Sequence, residues 1–134
     1  MTRIDPVTGV VQPLALIVED ELTNRMNARL HMERSGYLVY EAINGLAAQI
    51  LLRDTFFHLA VVDLRMPLMN GEQLIAWIDQ TPRLNAMHVV VSSANSWLTD
   101  QRHEARVDHF SAKPIQPGPF AALLKSLLDR QREV

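Results

Sequence analysis

The sequence predicts an α/β fold: a doubly wound sheet of five parallel strands with helices packed on both faces. Three observations carry this. Short apolar runs alternate five times with stretches whose apolar residues recur at helical spacing. Most of the runs have no polar face, as in strands covered on both sides. Right-handed crossovers between such strands leave few topologies, and the strand order 2-1-3-4-5 is a common one.

The elements follow in order. Residues 14–18, Leu-Ala-Leu-Ile-Val, form the first strand, and the more polar 37–40 a second at the sheet edge. Residues 59–62 and 89–91 are wholly apolar strands, and 107–110 is a weaker fifth. Between them, Leu22, Met26 and Leu30 recur at i, i+4 and predict the core face of a first helix, ended by Gly36. Leu46, Ala47, Ile50 and Leu51 predict a second apolar stripe, and Leu74, Ile75 and Ile78 a third, with Trp77 partly buried and Pro82 as the stop. A mostly polar fourth helix is expected over 96–106, capped by Asn95 or Ser96. The last helix has the cleanest stripe: Phe120, Leu123, Leu124, Leu127 and Leu128. The expected architecture is a flavodoxin-like three-layer sandwich spanning 13–134, preceded by a loose arm over 1–12.

Composition narrows the class. A chain of 134 residues suits one domain, and 48% hydrophobic residues mark it as folded. A formal charge of −2 gives no electrostatic footprint for nucleic acid. Without cysteine there is neither a disulfide framework nor a thiolate metal site. The apolar runs are far too short for a membrane span, and the N-terminus lacks a signal-peptide pattern, so a cytoplasmic location with no membrane partner is expected. The five histidines show no metal-ligand spacing and read as ordinary surface or core residues.

Chemistry-bearing residues collect at strand ends, where open α/β sheets bind ligands. Asp63 closes the third strand, placed as a nucleophile that takes up a phosphoryl group. Glu19, Asp20 and Glu21 follow the first strand; beside Asp63 they would form a carboxylate cluster suited to Mg²⁺. The same three acids also fit a plain helix N-terminus. Ser93 follows the fourth strand, as a phosphoryl-binding hydroxyl or a loop residue opening a helix. Ala94 beside it is small and leaves the approach open. Lys113 follows the fifth strand ahead of Pro114, as a partner for a phosphoryl oxygen or a carboxylate, or as a solvated surface lysine.

Taken together these residues resemble the receiver domain of two-component response regulators, over about residues 13–130. The most specific stretch is Asp63-x-x-Met66-Pro67-x-Met69-x-Gly71; Glu19-Asp20, Ser93-Ala94 and Phe110-x-x-Lys113-Pro114 also fit. The resemblance implies Asp63 as phospho-acceptor, Asp20 as main Mg²⁺ ligand, Glu19 as a ligand through water and the carbonyl of Arg65 as a backbone ligand. It implies Ser93 and Phe110 as the switch pair, with Phe110 largely buried, and Lys113 as the phosphate-contacting lysine. A sensor histidine kinase or phosphotransfer protein would donate the phosphoryl group, and a downstream protein target or output domain would read it. The residues after 130 are too few to hold an output domain, so a stand-alone regulator or a receiver separated from a longer protein is expected. Two departures stand out: Arg106 where the family often has glycine, and a short span from Ser93 to Lys113, which implies a shortened or irregular fourth helix.

Other functions fit less well. An aspartate-nucleophile phosphatase needs a second aspartate where Arg65 stands, so enzymatic activity beyond self-catalysed phosphoryl transfer and autodephosphorylation is not expected. A flavin carrier needs a phosphate-cradling first loop, which Glu19-Asp20-Glu21 would repel. The alternative kept open is a receiver-fold interaction module that signals without phosphorylation.

Overall fold

The computed structural model describes residues 3–4, 11–93 and 105–132. Two short strands, β1 (Arg3–Ile4) and β2 (Val11–Gln12), pair antiparallel within the segment expected to be an arm. The main sheet comprises β3 (Leu14–Val18), β4 (Leu38–Ala42), β5 (Leu59–Asp63), β6 (His88–Ser93) and β7 (His109–Ala112). All five are parallel and run in the order β4-β3-β5-β6-β7, which is the expected 2-1-3-4-5. The last strand begins at His109 rather than at residue 107. Asp108 stands just before it, its backbone N–H donating to Val89 O at 2.8 Å while its carboxylate accepts from Val89 N at 2.7 Å.

The helices are α1 (Leu22–Arg34), α2 (Gly45–Asp54), α3 (Gly71–Asp79) and α4 (Pro117–Arg132), with a 3-10 turn at Pro82–Leu84. Buried residues of α1 and α4 (Ala28, Met32, Phe120, Leu124, Leu127) pack with Ala15, Ile17, Val61 and Val90 on one face of the sheet. Those of α2 and α3 (Ala48, Leu52, Leu74, Ile75, Ile78) pack with Leu16, Val18, Val62 and Val91 on the other. Gly36, at φ +109°, follows α1 as expected, its N–H donating to Glu33 O while that of Tyr37 donates to Met32 O. The helix expected over 96–106 lies outside the described residues except for its last two, and so do Ala94 and Trp97.

Two helix faces differ from expectation. On α1 the core receives Ala28 and Met32, while Leu22, Met26 and Leu30 are exposed. The cause is Arg25, whose guanidinium donates to the carbonyls of Glu19 (3.1 Å) and Asp20 (3.4 Å) and pairs with Glu41 of β4. At about 100° per residue, Arg25, Ala28 and Met32 share the inward face and the larger aliphatics turn outward. On α2 the core takes Gly45, Ala48 and Leu52; Ala47 and Leu51 are half-buried, and Leu46 and Ile50 are exposed. The stripe on α4 is as expected, with Leu123 half-buried and the others buried, and Trp77 on α3 is half-buried.

Candidate functional site

The carboxyl ends of β3, β5 and β6 and the loop after β7 meet at one edge of the sheet. Asp63 is the last residue of β5, buried, and pairs in register with Ser92 of β6. Glu19 follows β3 directly and is also buried; Asp20 beside it is exposed. Glu19, Asp20 and Asp63 each offer a carboxylate oxygen within 4.8 Å of the others. The two sequence readings of the acidic run divide by residue. Glu21 caps α1, accepting from the N–H groups of Thr23 (3.0 Å) and Asn24 (2.7 Å), which hold its carboxyl below the usual range. Glu19 and Asp20 turn to the cluster instead.

Lys113 lies over this cluster at the residue after β7, and its bond to Pro114 is cis. Its ammonium donates to Glu19 Oε1 and lies 3.3 Å from Asp63 Oδ1. Glu19 also accepts from the Glu21 N–H at 3.2 Å, and Asp63 Oδ1 faces the Arg65 N–H at a long 3.4 Å. Burial lifts the Glu19 carboxyl above its ordinary range, against the lowering pull of its Lys113 and Glu21 bonds. Burial alone would lower the Lys113 ammonium, but the Glu19 bond and the charge of Asp63 outweigh it and the net shift is upward. Lys113 is therefore a firmly held cation among crowded carboxylates. The donor set fits a small hard cation: carboxylate oxygens only, open to solvent at Asp20.

Ser93 closes β6, buried, and its carbonyl accepts from Lys113 N at 3.1 Å. Phe110 on β7 packs against the α2–α3 side of the core but is half-buried, short of the largely buried ring expected. β7 is an edge strand, and half of a ring standing on it stays open. Arg65 is exposed, two residues past Asp63. Thus Glu19, Asp20, Asp63 and Lys113 converge, Ser93 borders them at the end of the neighbouring strand, and Phe110 stands further down β7. Sequence reasoning missed Arg25, which anchors the Glu19-Asp20 backbone, and Gly45, which touches the loop after Asp63. A half-buried arginine one turn into a helix leaves no periodic signal; the Asn44-Gly45 pair at the start of α2 was a readable one.

Comparison with known proteins agrees with this fold. The model of the response regulator receiver domain family matches residues 15–125. The chain belongs to that family and is the receiver domain of a response regulator, the class of module used in two-component signalling. Among curated relatives, the response regulator Rre1 of Synechocystis is 28% identical over 92% of this chain and 55% of its own length. The probable transcriptional regulator ycf29 of Pyropia yezoensis is 26% identical over 86% of the chain and 53% of its own length. The chain thus spans about half the length of these relatives. Among solved structures, the signal receiver domain of a histidine kinase from Syntrophus aciditrophicus shares 29% identity at a TM-score of 0.76, covering 91% of this chain and 94% of that one. A CheY-like receiver domain protein from Methanospirillum hungatei, at 24% identity and TM-score 0.78, covers 91% of this chain and 98% of its own and has the same fold. Among the described residues no helix is long and apolar enough to cross a membrane.

Proposed function

We propose that this domain is a phosphorylation-driven switch in which Asp63 takes a phosphoryl group from the phosphohistidine of a sensor histidine kinase or phosphotransfer protein. An Asp63 carboxylate oxygen attacks phosphorus, the P–N bond breaks, and the imidazole leaves with the bonding pair and is protonated. Mg²⁺, held by Asp20 and Asp63, by Glu19 through water and by the Arg65 carbonyl, would supply neutralisation of the phosphoryl oxygens. Lys113 already carries its charge within reach of Asp63 and would donate to a second phosphoryl oxygen. Ser93 would donate to the third, and the ring of Phe110, with no hydroxyl to satisfy, would turn further in behind it. The altered face would be read by a downstream protein or output domain in the cytoplasm. Asp63 would be the nucleophile, while Glu19, Asp20 and Lys113 would bind, orient and neutralise.

The observation that carries this reading is the gathering of Glu19 and Asp20 around Asp63, their carboxylate oxygens within 4.8 Å, with Lys113 bridging Glu19 and Asp63. The test is incubation with acetyl phosphate and Mg²⁺, followed by intact mass measurement. One phosphoryl group, labile to hydroxylamine, is expected in the wild type and none in Asp63→Asn. Labelling that persists in Asp63→Asn overturns the assignment.

A further inference from the structure

The loop between Asp63 and α3 is gripped from outside the acceptor motif. Asn44 caps α2 by accepting from Ala47 N at 2.8 Å, which leaves Gly45 as the first helical residue. The N–H at such a position has no partner inside its helix. Here it donates to the carbonyl of Met69 at 2.9 Å. Approach is so close that only glycine fits: a Cβ on Gly45 would lie 2.3 Å from Met69 O and 2.7 Å from both Met69 Cβ and Cγ. The residue before Met69, Leu68, is the one described non-glycine residue with a left-handed backbone, at φ +62°. It is also exposed, so no packing of its own side chain explains that conformation. At the loop's other end Gly71 donates to Leu64 O at 3.0 Å and lies against the backbone of Asp63, where a Cβ would meet Asp63 O at 2.2 Å. The segment carrying Arg65 is thus pinned at Gly71 by its own helix and at Met69 by a second one.

We propose that Gly45 is a positioning residue for the acceptor loop, its N–H holding the Met69 carbonyl so that the turn through Leu68 presents the Arg65 backbone and Asp63 to the entering cation. This role rests on the receiver reading above and adds a residue on α2 to it. A side chain at position 45 would push Met69 away and release the left-handed turn, moving the loop without removing any ligand.

The experiment compares Gly45→Ala with Ala48→Gly, which loosens the same helix at a buried position away from the loop. Three quantities are measured: melting temperature, Mg²⁺ affinity from amide shifts, and hydrogen exchange of residues 64–70. With comparable losses in melting temperature, Gly45→Ala is expected to weaken Mg²⁺ binding roughly fivefold and to slow phosphoryl uptake about tenfold, as small misplacements of ligands do. Its loop amides should exchange faster, while Ala48→Gly keeps wild-type affinity, rate and loop exchange. If Gly45→Ala fails to fold, an amide-to-ester replacement at Gly45, which removes the N–H and adds no side chain, serves in its place, with a smaller change in the same direction expected. Wild-type Mg²⁺ affinity in the Gly45 variant (or in the Gly45 ester where that stands in), or parallel losses in both helix variants, overturns the positioning role. A wild-type chain that takes up neither Mg²⁺ nor phosphoryl groups overturns the receiver chemistry itself, and is told apart because it fails before any variant is made.

Discussion

The two ends of the main sheet both carry polar side chains, and they use them differently. At the amino ends the side chains are bonded mainly to backbone, Arg106 also pairing with Asp108 at 3.7 Å. His58 Nδ1 accepts from Leu14 N at 3.1 Å, Asp108 accepts from Val89 N at 2.7 Å, and Arg106 donates to the carbonyls of Leu84 and Met87, each at 2.7 Å. At the carboxyl ends the charged groups are tied chiefly to one another: Lys113 to Glu19 and Asp63, with Asp20 alongside. Side chains bonded to backbone are fixed once the chain has folded. Charges bonded to charges can exchange partners, so a cation or phosphoryl group, on the proposed function, would re-sort them at little structural cost. One end closes the fold and the other is free to respond.

Removing Lys113 gives the largest effect. Lys113→Met leaves Glu19 and Asp63 as close, buried carboxylates, and breaking such a pair costs about 3 kcal/mol. Urea unfolding at neutral pH should show this loss without Mg²⁺ and recover most of it with saturating Mg²⁺, since the ion replaces the missing charge. A loss that Mg²⁺ does not restore would break the comparison.

Arg106→Met is the counterpart at the amino end. Losing two charge-assisted bonds to carbonyls should cost about 2 kcal/mol. Here Mg²⁺ should restore nothing, and the rate of phosphoryl uptake should match the wild type. A rate change would mean that the two ends are coupled.

The smallest effect concerns pH. Burial holds the His58 imidazole below its ordinary value of 6.5, and a nitrogen that accepts the Leu14 N–H cannot also carry a proton. The unfolded chain therefore takes up this proton before the folded one. The stability due to neutral His58 is complete above pH 6.5 and declines as pH falls toward the lower folded value. In His58→Asn the amide oxygen can take the place of Nδ1 without titrating. Stability near pH 8 should be close to wild type, and the decline below pH 6.5 shallower; His88, also lowered by burial, contributes to what remains. An unchanged slope would remove His58 from this role.

How far the molecule could be read from sequence follows from the same physics. Strands covered on both faces carry apolar residues throughout, so β3, β5 and β6 were legible as runs, and their order followed from handedness. Helix α4 was legible because its large apolar side chains are the ones that meet the sheet. The inward faces of α1 and α2 were not, because small residues make much of the contact beside one large residue each: Ala28 with Met32, and Gly45 and Ala48 with Leu52. A count of large aliphatics then finds Leu22, Met26 and Leu30, or Leu46 and Ile50, which face solvent. At the site, Asp63, Glu19, Asp20 and Lys113 were legible because strand ends converge whatever the helices do. The half-exposure of Phe110 was not, since it depends on what covers an edge strand. Nor was the grip of Gly45 on Met69, which joins two loops far apart in sequence.

The most direct test of the central claim locates the phosphoryl group. After incubation with acetyl phosphate and Mg²⁺, borohydride reduces an aspartyl phosphate to homoserine, and peptide mass mapping finds where. A single homoserine at position 63 is the expected result, absent when Mg²⁺ is withheld. Homoserine at position 20, or phosphate on a serine that borohydride leaves untouched, would contradict the account.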